Sequence, residues 1–273
     1  MKIKYLGTAA AEGWPSLFCN CSYCEKAKEL GGKNIRTRSQ AIIDDMILID
    51  YPSDSNMHAI RHHVDLPHIH TILITHTHQD HLYLEDLGLR SLGFAHDTDG
   101  ELTIYGNDKL LSKYNAMYGN GEHLIGKLRC QELQEYVTVN LEGYEITPLL
   151  ASHDRSEKCF IYLIEKDGKR LLYGNDTGLF PEPTWDYLSG KKLNLVSLDC
   201  THLKYKEGTN HMGIPDVLEA KERLRHIGCI DDATKVVITH FTHNGHMMHD
   251  EIVEAVAPHD IIVAYDGLEV AFD

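Results

Sequence analysis

The amino-acid sequence predicts an α/β fold in which layered β-sheets are flanked by helices. Short apolar runs rich in β-branched residues recur along the chain of 273 residues, mostly bounded by Gly, Asp or Asn. Helical patterns are fewer and are interspersed among these runs, which favours layered sheets over a repeating parallel barrel. Because the sequence has no internal repeat, low-complexity tract or Pro/Ser-rich linker, we expect residues 1–273 to form a single domain.

The predicted strands are the apolar, β-branched runs themselves. In chain order they are Ile3–Leu6, Ala41–Ile43, Met46–Ile49, Thr71–Thr75, Leu102–Tyr105, Glu145–Leu150, Phe160–Ile164, Arg170–Tyr173, Leu195–Leu198, Lys235–Thr239 and Ile261–Ala264. Asp44 and Asp45 separate two of these runs and predict a tight hairpin turn.

The clearest helical pattern covers Ile214–Ile227. Pro215 suits a first-turn position, apolar residues recur at helical spacing, and Gly228 follows the last turn. Weaker patterns predict three more helices, at Glu25–Leu30, Asp108–Tyr118 and Asp250–Val256.

Composition and charge exclude several classes of function. Hydrophobic residues make up 42% of the chain, so disorder is not expected, and no apolar run approaches the roughly 20 residues that span a bilayer. The net charge of −15 opposes binding to a nucleic acid or an anionic membrane, and we expect neither as a partner. The sequence starts without the apolar core of a secretory signal, which favours a cytoplasmic location.

Histidine is the unusual residue of this composition, with nineteen copies. The apolar run Thr71–Thr75 leads directly into His76-Thr77-His78-Gln79-Asp80-His81. His76 and His78 are two positions apart and can point the same way, whereas Asp80 and His81 follow round the bend and can face a second cation. Imidazole and carboxylate ligands at this spacing predict a dinuclear site for Zn²⁺, Mn²⁺ or Fe.

Three further candidate ligands also follow predicted strands. His153 follows Glu145–Leu150, Asp176 follows Arg170–Tyr173, and His240 comes directly after Lys235–Thr239. A carboxylate such as that of Asp176 can bridge two divalent ions.

In this order, these motifs resemble the metallo-β-lactamase superfamily. The resemblance rests on the His-x-His-x-Asp-His run, on His153, on Gly174-Asn175-Asp176-Thr177-Gly178 and on Thr239-His240. It implies a four-layer αββα sandwich (α/β, or α+β in some schemes) with the dinuclear site at one edge of the two sheets. It also implies the ligand sets: His76, His78 and His153 for one metal, Asp80, His81 and His240 for the other, and Asp176 as the bridge. The motif is informative about fold and metal and says little about substrate.

A second metal site is predicted near the N-terminus, in a zinc-binding loop at residues 13–30. Cys19, Cys21 and Cys24 are clustered, and three thiolates with one imidazole would form a closed, structural Cys₃His zinc site. His243 is the candidate fourth ligand, with His246 and His249 as alternatives, and a redox pair or free thiols would be the other interpretation of the cluster. The remaining cysteines are expected to be buried core thiols: Cys130, Cys159, Cys200 and Cys229.

Within the superfamily the sequence resembles the PhnP family, the phosphoribosyl 1,2-cyclic phosphate phosphodiesterases of the carbon–phosphorus lyase pathway. The matching segments are Gly13-Trp14-Pro15 with the cysteine cluster, Asp199-Cys200-Thr201-His202, Asn210-His211 and Thr239-His240-Phe241-Thr242-His243. This resemblance implies a homodimeric enzyme of phosphonate metabolism that hydrolyses a small cyclic phosphodiester such as 5-phosphoribosyl 1,2-cyclic phosphate. It also implies that His211 is the proton donor.

The expected reaction is metal-dependent phosphodiester hydrolysis. A hydroxide held between two divalent ions would attack phosphorus, and His211 would protonate the leaving oxygen. Asp80 would ligate metal and direct the attacking water, and His202 would orient the phosphate or a metal ligand. Arg155 is the candidate cation for a second substrate phosphate.

Four alternatives remain at this stage. A nuclease like tRNase Z shares the metal motif, but the long Gly/Pro/basic arm that grips tRNA is missing from this sequence. A PqqB-like protein of quinone cofactor biosynthesis also has an early cysteine cluster. A β-lactamase or lactonase, and a metal-binding or redox-sensing module without catalysis, complete the set.

One group of histidines is expected to form only the solvated face of a polar helix: His58, His62, His63, His68 and His70.

Overall fold

Two β-sheets packed face to face, with helices on both outer faces, form the four layers of the protein. The computed structural model describes residues 1–91, 93–119 and 121–272. The predicted αββα sandwich is confirmed.

The strands are β1 (Lys2–Gly7), β2 (Gln40–Ile43), β3 (Ile47–Ile49), β4 (Thr71–Leu73), β5 (Leu102–Gly106), β6 (Leu128–Glu132), β7 (Val139–Leu141), β8 (Tyr144–Leu150), β9 (Phe160–Lys166), β10 (Lys169–Gly174), β11 (Leu195–Asp199), β12 (Lys235–Thr239), β13 (Ile261–Val263) and β14 (Glu269–Ala271). The α-helices are α1 (Ser22–Leu30), α2 (Ser55–His62), α3 (Leu84–Leu87), α4 (Asp108–Tyr118), α5 (Glu182–Leu188), α6 (Ile214–His226) and α7 (His249–Val256). Among the described residues, no helix is long and apolar enough to cross a membrane.

Each sheet has seven strands and combines antiparallel with parallel pairing. The first sheet has the order β14-β1-β2-β3-β4-β5-β6, and the second has the order β13-β12-β11-β10-β9-β8-β7. In the second sheet β10, β11, β12 and β13 are parallel to one another, so their carboxyl ends meet at one edge. In the first sheet β3 to β6 are parallel in the same way.

Apolar side chains from the two facing sheets form the central core. Its fully buried members include Ile3, Tyr5, Ile43, Ile49 and Leu73 from the first sheet and Tyr144, Ile146, Phe160, Tyr162, Leu171 and Val237 from the second. The outer face of the second sheet packs against α1, α5, α6 and α7, and that of the first packs against α3 and α4. Burial of these faces is the main favourable contribution to stability.

All the predicted strands are present, but the sequence prediction missed β6, β7 and β14. These three strands lie at sheet edges, and their half-exposed sequences lack the apolar run on which the prediction depended. The predicted turn is confirmed, because Asp44 and Asp45 both have positive φ and the Met46 amide donates to the Ile43 carbonyl. The predicted polar helix around His58 and His62 is present as α2, whereas α3 and α5, of four and seven residues, were not predicted because they are too short to show a helical period.

The predicted solvated histidine face is wrong for His58. This side chain lies on α2 and is 1% exposed, because it packs under the helix against β2. Its Nδ1 lies 2.7 Å from Oε1 of Gln40, and its Nε2 lies 2.7 Å from Oγ1 of Thr37. His58 is therefore a buried structural residue, with a hydrogen-bond partner for each ring nitrogen.

Candidate metal centre and active site

Loops at the carboxyl ends of strands from both sheets converge to form the site. The His76–His81 segment follows β4 of the first sheet, and His153, Asp176 and His240 follow β8, β10 and β12 of the second. Asp176 and His240 have φ values of 54° and 65°, and Asp50, directly after β3, has 66°. Left-handed backbone at non-glycine residues is strained and often marks a functional site.

The first set of candidate ligands is His76, His78, His153 and Asp176, whose ligand atoms lie within 4.8 Å of one another. Nδ1 of His78 is 3.2 Å from Nε2 of His153, and Nε2 of His76 is 3.3 Å from Oδ2 of Asp176. These are the residues that the superfamily resemblance assigns to one metal and its bridge.

The second set is Asp80, His81, Asp176 and His240, and all four are buried. Nε2 of His81 lies 3.1 Å from Oδ2 of Asp80 and 2.9 Å from Oδ2 of Asp176. Nε2 of His240 lies 3.6 Å from the same Asp176 oxygen. Asp176 thus belongs to both sets, as a bridging carboxylate must.

Orphaned buried atoms indicate that these two sets fit divalent metals. Nε2 of His76, His81 and His240 and Oδ1 of Asp176 are buried and make no properly directed hydrogen bond. The short contacts among these atoms lack hydrogen-bond geometry. Because leaving buried polar atoms unpaired costs free energy, such a cluster calls for another partner. Imidazole nitrogens and carboxylate oxygens converging in this way suit Zn²⁺, Mn²⁺ or Fe, and their other ring nitrogens are already held.

Buried hydroxyls and carboxylates orient the histidines from behind. Nδ1 of His81 lies 2.7 Å from Oδ2 of Asp50, and Thr75 bonds both that carboxylate and Nδ1 of His76. On the other side, the Thr201 hydroxyl lies 2.8 Å from both Nδ1 of His240 and Oδ2 of Asp199. Such contacts fix the tautomer and angle of a metal-binding imidazole.

A third group of contacts fixes the outer part of the histidine motif. The fully buried Glu157 carboxylate accepts hydrogen bonds from the amide and hydroxyl of Thr77, at 3.0 and 2.9 Å. Oδ2 of Asp154 lies 3.1 Å from Nε2 of His78. Sequence analysis gave no role to Asp50, Asp154 or Glu157. For Asp50 the signal was present, because it follows an apolar run as directly as His240 does.

Opposite charges in the cluster stabilise one another. Burial disfavours the charged form of His240, but the carboxylates of Asp176 and Asp199 outweigh it and raise its pKa to about 9. Burial also opposes ionisation of Asp176, and the imidazoles of His240 and His211 nevertheless hold the pKa of its carboxyl well below the ordinary value. Metal ions would take over this neutralisation and release the imidazole protons.

His211 lies beside the metal ligands, on the loop that precedes α6. Its Nδ1 is 3.0 Å from Oδ1 of Asp176 and 3.1 Å from Oδ2 of Asp199. Although burial opposes the charge, the carboxylates of Asp199 and Asp176 raise the pKa of His211 to about 11. His202 and His211 line one cavity, and their ring centroids are 5.5 Å apart.

A glycine allows the His211 loop to approach. A Cβ at Gly178 would lie 2.2 Å from the carbonyl oxygen of Thr209, so a side chain there would displace the loop. The amide of the neighbouring Leu179 donates to the Gly208 carbonyl, which ties the two segments together. The Gly-Asn-Asp-Thr-Gly segment therefore supplies both the bridging carboxylate and the space for the loop.

The cysteine cluster and His243 form a separate site about the N-terminus of α1. Ligand atoms of Cys19, Cys21, Cys24 and His243 all lie within 4.8 Å of one another, and Nδ1 of His243 is 3.4 Å from Sγ of Cys21. Burial opposes ionisation of Cys21, but the Cys24 amide and the His243 ring lower its pKa to about 6. These four groups fit a closed tetrahedral zinc site.

The alternative fourth ligands have other partners. Nδ1 of His246 lies 2.9 Å from the Tyr205 hydroxyl, and Nδ1 of His249 lies 3.0 Å from the buried Arg36 guanidinium. Of the other cysteines, Cys159, Cys200 and Cys229 are buried as predicted, and Cys130 is partly exposed.

Two adjoining cavities open over the metal-ligand sets. The inner one, of about 280 Å³, is lined by ligands of both sets and by Glu12, His202, His211 and Asn244. The outer one, of about 460 Å³, is lined by His78, His153, Asp154, Arg155, Thr209 and Asn210. Arg155, the candidate phosphate contact, is therefore exposed at the rim of the outer cavity.

Comparison with known families shows to which superfamily the chain belongs. The sequence model of the β-lactamase superfamily domain matches residues 46–260, a range that includes both candidate ligand sets. The chain belongs to the metallo-β-lactamase superfamily. As a member of it, the protein is a hydrolase of that fold with residues suited to divalent metals.

Solved structures of superfamily members share the fold at low sequence identity. A diphosphatase of the PhnP family is 22% identical, with a TM-score of 0.77 over 100% of this chain and 98% of that one. Zn²⁺-bound PqqB from Methylobacterium extorquens is 19% identical, with a TM-score of 0.77 over 99% and 100%. The short form of human tRNase Z is 16% identical, with a TM-score of 0.67 over 100% of both chains. No curated protein matches the chain.

Proposed function

We propose that the protein is a metal-dependent phosphodiesterase that hydrolyses a small cyclic phosphodiester, best represented by 5-phosphoribosyl 1,2-cyclic phosphate. The observation that carries the proposal is the position of the His211 imidazole, whose Nδ1 lies between the carboxylates of Asp176 and Asp199 at the edge of the candidate ligand sets. The structural neighbour from the PhnP family supports it, as does the Cys₃His cluster behind the site.

In this proposal the ligand sets hold two divalent cations, of Mn²⁺, Zn²⁺ or Fe. When bound, such cations acidify water and neutralise the charge on phosphoryl oxygens. The residues behind the ligands, Asp50 and Asp199 among them, keep the imidazoles in the required orientation. Asp80, whose carboxylate is almost fully buried, accepts a hydrogen bond from the attacking water and so directs it.

His211 supplies the proton that the leaving alkoxide needs. Its described contacts engage Nδ1, which leaves Nε2–H for the substrate side of the ring. Asp199 keeps the ring charged and oriented, because its own carboxylate is fixed by the Met212 amide at 2.8 Å and by Thr201. A positioned general acid of this kind contributes roughly 10²–10⁴-fold in rate.

The charge of the molecule and the cavities support a small phosphorylated substrate. A net charge of −15 opposes a polyanionic partner such as tRNA. Arg155 at the rim of the outer cavity is the cation we assign to a second substrate phosphate. Homodimerisation and a role in phosphonate metabolism belong to the same proposal, because the PhnP resemblance implies them, and we propose a cytoplasmic location with them.

The test is hydrolysis of three substrates with added Mn²⁺: the ribosyl cyclic phosphate, a 2′,3′-cyclic nucleotide and a precursor tRNA. We expect turnover of the first and a fall in kcat of roughly 10²–10⁴-fold in His211→Ala. Bis(p-nitrophenyl) phosphate is the internal control, since p-nitrophenolate leaves without a proton and its hydrolysis should fall far less. Preferred cleavage of the tRNA would assign the protein to the nucleases, and no turnover of any substrate would overturn the proposal.

A further inference from the structure

One wall of the inner cavity is not made by metal ligands. It consists of Ala10, Ala11 and Glu12, which follow β1, together with Thr242 and Asn244, which follow β12. The two segments are joined by backbone hydrogen bonds, since the amide of Ala10 donates to the Phe241 carbonyl. Glu12 is the one carboxylate among the described lining residues that lies outside the two ligand sets.

The Glu12 side chain is held at one oxygen and open at the other. Its Oε1 accepts a hydrogen bond from the Thr242 hydroxyl and lies 3.7 Å from Nε2 of His243. Within the described part of the chain, Oε2 has no hydrogen-bond partner, and the side chain is 30% exposed. Since Glu12 lines the cavity and its other oxygen is held, Oε2 is left as an acceptor for a bound molecule.

The charge around Glu12 selects what it can accept. The described residues that line the inner cavity include no Lys or Arg, so a second anionic group of the substrate would be repelled beside the Glu12 carboxylate. A hydroxyl group, by contrast, donates a charge-assisted hydrogen bond to a carboxylate. Arg155 lines the outer cavity instead.

We propose that Glu12 is a specificity-determining residue that binds a hydroxyl group on the non-reacting, sugar-like part of the substrate. The inference rests on the proposed phosphodiesterase function and gives the substrate an orientation. Its hydroxyl-bearing part occupies the inner cavity against Glu12, and its further anionic group points toward the outer cavity. The Thr242 hydroxyl is a positioning residue, because it fixes the Glu12 carboxylate.

Three chromogenic phosphodiesters with the same p-nitrophenolate leaving group test the inference. Thymidine 5′-monophosphate p-nitrophenyl ester carries a sugar hydroxyl, bis(p-nitrophenyl) phosphate carries none, and p-nitrophenyl phosphorylcholine carries a cation. We expect the ratio of kcat/KM for the thymidine ester to that for bis(p-nitrophenyl) phosphate to fall about tenfold or more in Glu12→Ala. Glu12→Gln retains a weaker, uncharged acceptor and should show a smaller fall.

Two further variants control for structure. Thr242→Val removes the hydroxyl that holds Glu12 and should lower the same ratio in part. Glu29→Gln, at an exposed glutamate of α1, should leave it unchanged. Zinc content and Tm of each variant report whether the neighbouring cysteine site is intact.

Each other outcome has a definite meaning. Equal losses on all three esters, or a wild-type ratio no higher than that of Glu12→Ala, would overturn the role in specificity. A selective loss with the choline ester would make Glu12 a cation subsite and would also overturn the inference. If wild-type protein with both metals bound hydrolyses neither these three esters nor the ribosyl cyclic phosphate, the phosphodiesterase proposal fails and the Glu12 assignment fails with it.

Discussion

At the scale of single residues, Asp176 organises the site. Its two carboxylate oxygens lie 2.9–3.6 Å from ring nitrogens of five histidines: His76, His81, His153, His211 and His240. Burial opposes the charge on these rings, but nearby carboxylates raise the pKa of three of them, His81, His211 and His240, so more than one carboxylate must balance the charge. Asp50 and Asp199 do so from opposite sides of the cluster.

Asp50→Asn should weaken metal binding without changing the ligand sets. The substitution removes the charge that holds Nδ1 of His81 at 2.7 Å, and loss of such a partner typically costs 10–100-fold in metal affinity. Competition with a chromogenic chelator measures this affinity. Asp186→Asn, at an exposed position on α5, is the matched control. Equal affinities in wild-type protein and Asp50→Asn would contradict the orienting role.

His58 should make folding stability depend on pH. Burial lowers its pKa to about 4 from the ordinary 6.5, so the unfolded chain binds its proton first as pH falls. The contribution is fully present above pH 6.5 and is lost as pH falls from 6.5 toward 4, by about 3 kcal/mol in total.

Urea unfolding of His58→Gln at pH 7 and pH 4.5 checks this expectation. The stability lost between the two pH values should be about 2–3 kcal/mol smaller than in wild-type protein. His226→Gln, at an exposed position at the end of α6, should retain the wild-type dependence. If the pH dependence of stability were unchanged in His58→Gln, the pKa of His58 would be the same in the folded and unfolded chain, and the prediction would be wrong.

At the scale of elements, the sequence predicted what buried strands determine. Thr71–Thr75, Arg170–Tyr173 and Lys235–Thr239 are apolar enough to identify strands, and the polar residues beyond them identify the site. The edge strands β6, β7 and β14 were not predictable, because pairing along one side leaves their sequences half polar. His58 was mispredicted because its local sequence is polar. Its side chain is nevertheless buried, since partners from β2 and the preceding loop pair both of its ring nitrogens.

The site residues missed by sequence analysis depend on contacts between distant segments. Glu157 binds Thr77, 80 positions earlier, and Glu12 binds Thr242, 230 positions later. No local pattern encodes either contact. The candidate ligands, in contrast, either belong to the run from His76 to His81 or follow predicted strands, which is why their positions could be predicted while their supports could not.

Gly178→Ala should lower activity through the element that carries His211. A Cβ 2.2 Å from the Thr209 carbonyl must move the loop before α6, and even a displacement of about 1 Å can cost roughly 100-fold in rate. We expect kcat to fall while the bound metal content stays at the wild-type level. A parallel loss of metal would show instead that Asp176, two residues earlier, has moved.

At the scale of the whole molecule, the candidate metal ligands come from both sheets. His76 to His81 follow the first sheet, and His153, Asp176 and His240 follow the second, so bound metal should oppose separation of the sheets. By mass action, Mn²⁺ at a thousand times its Kd stabilises the fold by about 4 kcal/mol.

Thermal unfolding of chelator-treated protein across a Mn²⁺ titration measures this linkage. Tm should rise by the order of 10 °C for a chain of this size. Asp176→Asn should abolish the rise. Cys19→Ser should retain it, because thiolate sites bind Mn²⁺ poorly. A Tm independent of Mn²⁺ in wild-type protein would contradict metal binding across the sheets.

The cysteine site joins the two ends of the chain in another way. Cys21 and His243 are 222 positions apart, so an ion bound by both closes most of the polypeptide into a ring. Because the unfolded chain does not bring these ligands together, the free energy of zinc binding adds directly to the stability of the folded state. Unlike a disulfide, this closure opens whenever the ion is withdrawn, so the supply of zinc would set how long the folded protein survives.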